Sequence, residues 1–160
     1  MRALTSLLLS IAFIAFVGCR EDVPHAAELE NLAGTASRIM LYSLEPSARH
    51  GDRTHDERVF HGFGIIGRAE ITDPAERRAL LHAIAESVRR PPDMVAACFN
   101  PRHALSIQDG SRTVDLTICF ECHQMRADGF AGDKGLVISP AQEPTFDQAL
   151  QRHGLRKSKT

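Results

Sequence analysis

The clearest periodicity in the chain lies at Leu80, Leu81, Ile84, Ala85 and Val88, which recur at helical spacing while Arg77, Arg78, Glu86 and Arg89 fall off that stripe. Asp73 suits the N-cap, Pro74 the first helical position, and Glu76 stands three residues after the cap, which completes a capping-box pattern. Pro91 and Pro92 end the run. The pattern predicts a long structural helix with His82 on its surface. Elsewhere the apolar positions predict strands: residues 38–44, residues 60–72 with Gly62 and Gly64 suggesting a bulge, two segments flanking Asp109-Gly110, and Leu136-Val137-Ile138. Asp109-Gly110 is a type I′ hairpin signal. With those two residues as the loop, Gln108 pairs with Ser111, Ile107 with Arg112, Leu105 with Val114 and His103 with Leu116. Val114, Leu116, Ile118 and Phe120 then share the core face, and Thr113, Asp115, Thr117, Cys119 and Glu121 the other, which is expected to be wet. A short helix is expected over residues 145–153, with Phe146, Ala149 and Leu150 inward and Gly154 as its stop. The fold class is therefore α+β: an antiparallel sheet of about five strands with one long and one short helix, spanning residues 36–156.

The N-terminus reads differently. Arg2 precedes an uncharged apolar run over residues 3–17, too short to cross a bilayer and laid out like a secretory signal. Phe16-Val17-Gly18-Cys19 resembles the lipobox of bacterial lipoproteins. That resemblance implies a signal peptide over residues 1–18 and an acylated Cys19. It also implies an exported chain held by lipid on the bacterial cell envelope, at a periplasm-facing membrane. Plain secretion is the alternative. Residues 19–35 are mostly polar or small and read as a tether, with room for a short helix over residues 26–32. Residues 157–160 read as a solvated basic tail.

Composition narrows the function mainly by exclusion. In 160 residues, 43% are hydrophobic and 24% charged, and the formal charge is -1, so there is no basic field for nucleic acid. No P-loop, Rossmann fingerprint, Gly-x-Ser-x-Gly or His-Glu-x-x-His occurs. His50, Asp52, His55 and Asp56, with His61 shortly after, hold metal-ligand chemistry on a hydrophilic loop, which the pattern favours as a solvated segment.

Candidate chemistry is concentrated between Cys98 and His123. The hairpin register places Cys98 beside the Cys119/Cys122 pair, provided the second strand turns after Phe120. Left extended, residues three apart are roughly 10 Å apart, too far for a disulfide or a shared metal. The same parity puts His103 on the core face, away from Cys119. Cys98-Phe99-x-Pro101-Arg102-His103 together with Ile118-Cys119-Phe120-Glu121-Cys122 is similar to an uncharacterised family of exported bacterial proteins, a resemblance that carries no function.

Three readings of these residues compete. Cys98, Cys119 and Cys122 with His103 or His123 match the Cys₃His set that zinc favours, and the Cys119/Cys122 pair could also cycle as a redox dithiol. Cys119-x-x-Cys122-His123 is the attachment motif for haem c, with an electron carrier as the implied function. A disulfide from Cys98 to Cys119 or Cys122 would pin the hairpin and leave an odd thiol. Arg102 and Glu121 form an expected cross-strand ion pair. A nucleophile, base and orienter set of Cys98, His103 and Glu121 is opposed by the face parity. The expected function is a non-enzymatic, membrane-anchored lipoprotein whose cysteine cluster is structural, metal-binding or redox-active; a partner-binding lipoprotein with no chemistry is the alternative.

Overall fold

The computed structural model describes residues 23–49, 56–130 and 134–159. The expected signal peptide, Cys19, and the loop residues His50, Asp52 and His55 lie outside them. Among the described residues three α-helices, α1 (Val23–Thr35), α2 (Pro74–Arg89) and α3 (Glu143–Arg152), accompany seven strands. These are β1 (Arg38–Arg49), β2 (Val59–Phe60), β3 (Phe63–Glu70), β4 (His103–Asp109), β5 (Arg112–Cys119), β6 (Gln124–Asp128) and β7 (Lys134–Val137). One antiparallel sheet takes the order β2-β3-β1-β4-β5-β6-β7.

The α+β class stands, with seven strands rather than about five and three helices rather than two among the described residues. Residues 60–72 divide into β2 and β3 around a turn, and β6 is additional. The segment expected to be a spacer forms α1, which buries Ala26, Leu29 and Leu32 beside the α2 stripe of Leu80, Leu81, Ile84 and Val88. Asp73 caps α2 by accepting from the Ala75 N–H at 2.9 Å. Glu76 does not complete the capping box. Its carboxylate instead ties α2 to α3 through Arg152 at 2.7 Å and His153 at 3.0 Å.

The hairpin is displaced from the expected register. Asp109 pairs with Arg112, Leu105 with Leu116 and His103 with Ile118, so the two-residue loop is Gly110-Ser111, with Gly110 at φ 58°. The slip is even, so each side chain keeps its expected face. Ile39, Leu41, Leu105, Ile107, Val114, Leu116 and Ile118 all lie against the helices in the main core. The opposite face, expected to be wet, is instead partly buried: Thr117 and Cys119 are inaccessible there, and Leu44, Phe60, Phe63 and Ala104 make a smaller cluster with Tyr42, Ile65 and Phe99 packed on it. The sheet curls over this second face: His61, in the β2–β3 turn, places Nε2 2.8 Å from Asp115 Oδ2 on β5.

The C-terminal tail is solvated at the Arg156 and Lys159 side chains, as expected, but docked through its backbone and through Lys157 and Ser158. Ser43 Oγ donates to the Arg156 carbonyl at 2.6 Å, and Ser158 Oγ, in a residue only 5% exposed, to Glu45 Oε2 at 3.0 Å. Lys157 Nζ donates to Glu143 Oε1 at 2.6 Å and Asp147 Oδ2 at 2.9 Å, which joins the tail to α3.

Candidate functional site

The site is built on the turn between β5 and β6. Phe120 drives its side chain into the core against Phe146 and the edge of His103, with centroid separations of 5.2 and 5.5 Å. The chain then reverses: the His123 N–H donates to the Phe120 carbonyl at 3.1 Å, with His123 at φ 56°. The Ile138 N–H, just past β7, donates to the His123 carbonyl at 3.0 Å. This reversal brings the Cα atoms of Cys119 and Cys122 to 5.2 Å, and their sulfurs are bonded at 2.09 Å. The disulfide therefore joins Cys119 to Cys122, not Cys98 to either. The separation that would forbid it in an extended strand is removed by the turn.

Cys98 is delivered by the segment between α2 and β4. The Ala96 N–H donates to the Cys122 carbonyl at 3.2 Å. The Gln124 side-chain amide donates to the Ala96 carbonyl, and to the Cys98 carbonyl at 3.1 Å. Phe99 is held edge-on by Phe63 at 5.9 Å and lies under the Arg126 guanidinium at 4.4 Å. As a result Cys98 Sγ lies 3.4 Å from Cys122 Sγ. The three sulfurs differ sharply in access: Cys98 is an exposed free thiol, whereas Cys119 and Cys122 are 1% and 0% exposed. Two backbone donors also reach the bonded pair, Asn100 N–H to Cys122 Sγ at 3.3 Å and Cys122 N–H to Cys119 Sγ at 3.2 Å.

The sequence-predicted histidines do not join the sulfurs. His103 is on the helix-facing side, 1% exposed, with Nε2 2.8 Å from Asp147 Oδ1. Burial pushes its imidazole below the ordinary histidine range, against the opposing pull of Asp147. The Asp147 carboxyl is raised by burial, but hydrogen bonds from His103 and Lys157 outweigh this and leave it low. His123 turns its ring to the Met94 carbonyl, to which Nδ1 donates at 3.0 Å. With Cys119 and Cys122 bonded to each other and His103 across the sheet, the residues as arranged do not fit a Cys₃His zinc. Nor do they offer haem c its two free thiols. Arg102 Nη1 meets Glu121 Oε2 at 2.5 Å as the expected ion pair. Glu121 is thereby committed to Arg102, and the set of Cys98, His103 and Glu121 is not assembled.

Two polar constellations were not foreseen. His103, Glu143 and Asp147 bring ligand-type atoms within 4.8 Å of one another, with the Lys157 ammonium hydrogen-bonded to both carboxylates. On the other face His61 lies between Asp115 and Asp128, at 2.8 and 3.5 Å. Beside it, Asp115 Oδ1 and Thr117 Oγ1 are buried with no hydrogen-bond partner among the described residues. A buried histidine predicted on the core face requires a polar partner, which was the available signal for the first constellation. Nothing in the spacing announces the second. Compared with protein-family models, curated proteins and solved structures, the chain matches none of them.

Proposed function

We propose that the chain is an exported, lipid-anchored module of the bacterial cell envelope whose Cys98/Cys119/Cys122 cluster is a thiol–disulfide site. The observation that carries this reading is the exposed Cys98 thiol standing 3.4 Å from one sulfur of a buried disulfide. Thiol–disulfide exchange requires a sulfur in contact with a disulfide sulfur, and an exported compartment permits the oxidised state to persist. A bridge serving only to pin the turn would need no third sulfur. Purification of the mature protein without reductant, followed by alkylation and peptide mapping, tests it. The expected result is one alkylatable thiol, at Cys98, a linked Cys119–Cys122 pair, and loss of that link on exposure to glutathione or dithiothreitol. Three free thiols in native material, or a disulfide inert to both reductants in the folded protein, would overturn the reading. Fatty-acid labelling lost on Cys19→Ser substitution tests the anchor; labelling absent from the wild type would remove it.

A further inference from the structure

We infer that Cys98 is the gateway through which thiols outside the protein exchange with the buried Cys119–Cys122 disulfide, a step that rests on the thiol–disulfide reading above. The argument is one of access. Cys119 and Cys122 are 1% and 0% exposed, so an outside thiolate cannot touch either sulfur in the folded protein. Cys98 is exposed and already in contact with Cys122.

The sequence of steps follows from which sulfur each group reaches. Cys98 loses its proton to solvent and its thiolate attacks Cys122 Sγ, closing 3.4 Å to a bond of about 2.05 Å. The Cys119–Cys122 bond breaks and its electron pair leaves on Cys119 Sγ, where the Cys122 N–H already points at 3.2 Å. Nothing is oxidised or reduced overall; the bridge moves from Cys119–Cys122 to Cys98–Cys122, and one of its sulfurs now faces solvent. An outside thiolate attacks Cys98 Sγ, and the electron pair of the Cys98–Cys122 bond leaves on Cys122 Sγ, which accepts from the Asn100 N–H at 3.3 Å. A second thiol on the outside compound then attacks the mixed disulfide at its own sulfur and releases Cys98. In sum the outside dithiol becomes a disulfide, and Cys119 and Cys122 take up its two hydrogens as thiols. The substrate class is a compound with two neighbouring thiols, and the same path run backwards reoxidises the pair from an outside disulfide.

The test compares the mature wild-type protein with Cys98→Ser and Cys119→Ser, using dithiothreitol as the dithiol and urea midpoints to establish that each variant is folded. Intramolecular delivery of a nucleophile corresponds to effective concentrations far above the millimolar range of an added thiol. Cys98→Ser is therefore expected to keep the Cys119–Cys122 bridge but to lose it at least about tenfold more slowly than wild type. In Cys119→Ser, peptide mapping should find a Cys98–Cys122 bridge. Slowing by less than about tenfold in Cys98→Ser, or free Cys98 and Cys122 in an oxidised preparation of folded Cys119→Ser, would overturn the gateway. Those failures would leave the thiol–disulfide reading intact; a wild-type bridge that dithiothreitol cannot reduce at all would remove both.

Discussion

Gly129, the residue after β6, offers a sharp test of the register. Its φ of +86° lies in the left-handed region, and a Cβ built there would stand 2.2 Å from the Thr113 carbonyl oxygen and 3.3 Å from Val114 Cα. Gly129→Ala therefore meets two separate costs. The left-handed backbone costs an L-residue roughly 1–2 kcal/mol, offset by about 0.4–1 kcal/mol from the reduced freedom of the unfolded chain. The contact with Thr113 is with backbone paired to β4, through Thr113 and Gln108, so it cannot be relieved by a side-chain rotation. Overpacking of that kind costs typically 1–3 kcal/mol. The sum is about 3 kcal/mol. Gly110→Ala is the control: its φ is +58°, but nothing lies within 4 Å of the added carbon, so only the backbone cost of about 1 kcal/mol applies. Urea unfolding of both variants, with an unchanged denaturant slope to certify the same folded and unfolded states, measures the difference. A Gly129→Ala variant no less stable than Gly110→Ala would refute the close approach of the β6 end to Thr113, and with it the β5–β6 pairing that supports the cysteine turn.

Acid should weaken the fold in part through His103. Its folded-state imidazole is held below the ordinary value of about 6.5 by burial, so the unfolded chain takes up the proton first and stability falls as pH drops below that value. The loss continues through the carboxylate range as Asp147, whose pKa His103 and Lys157 keep low, is protonated. Urea midpoints from pH 7.5 to 5 should fall more steeply in wild type than in His103→Gln, and parallel curves would refute the assignment. Phe146 is fully buried against Phe120 and His103, and Phe146→Ala is expected to cost about 3–5 kcal/mol in urea unfolding; a loss under about 1 kcal/mol would contradict that packing. Asp73→Ala removes the α2 cap and should cost about 1 kcal/mol, whereas Asp73→Asn should recover most of it.

The legible elements were those whose pattern and punctuation agreed. α2 has a cap, a proline at its first position, an apolar stripe from Leu80 to Val88 and a proline stop, and the structure places it at Pro74–Arg89. α1 has neither an acidic residue in its first turn nor a basic one in its last, and its buried face rests on Ala26, Leu29 and Leu32. That stripe gains its meaning only from α2 alongside. β6 alternates correctly, with Met125 and Ala127 inward, but two apolar residues in five are too few to outweigh the adjacent Cys-x-x-Cys-His motif. The hairpin loop fell one residue later than the Asp-Gly signal indicates, and Asp109 now pairs with Arg112, their side chains 3.9 Å apart. Face assignments survived because a two-residue change in the pairing sum preserves parity.

The same parity explains which part of the site could be read in advance. It separates His103 from Cys119 across the sheet for any even shift of the pairing, so the exclusion of the histidine from the sulfur cluster depended on strand alternation and a two-residue loop. The pairing of the sulfurs depended instead on the reversal at residues 120–123, where the left-handed position is occupied by His123 rather than by glycine or asparagine. The usual composition signal for a turn is therefore missing. What stabilises the reversal is distant in sequence: Phe120 against Phe146, the Ile138 N–H on the His123 carbonyl, and Met94 O on the His123 ring. Gln124, the first residue of β6, then ties the Cys98 segment to this frame. Thus the disulfide is set by the core, and the distance from Cys98 to it by the Gln124 amide together with the Ala96 N–H on the Cys122 carbonyl and the packing of Phe99. Burial protects two sulfurs while the third stays in contact with one of them, that of Cys122, and with solvent, an arrangement that neither strand alternation nor cysteine spacing specifies by itself.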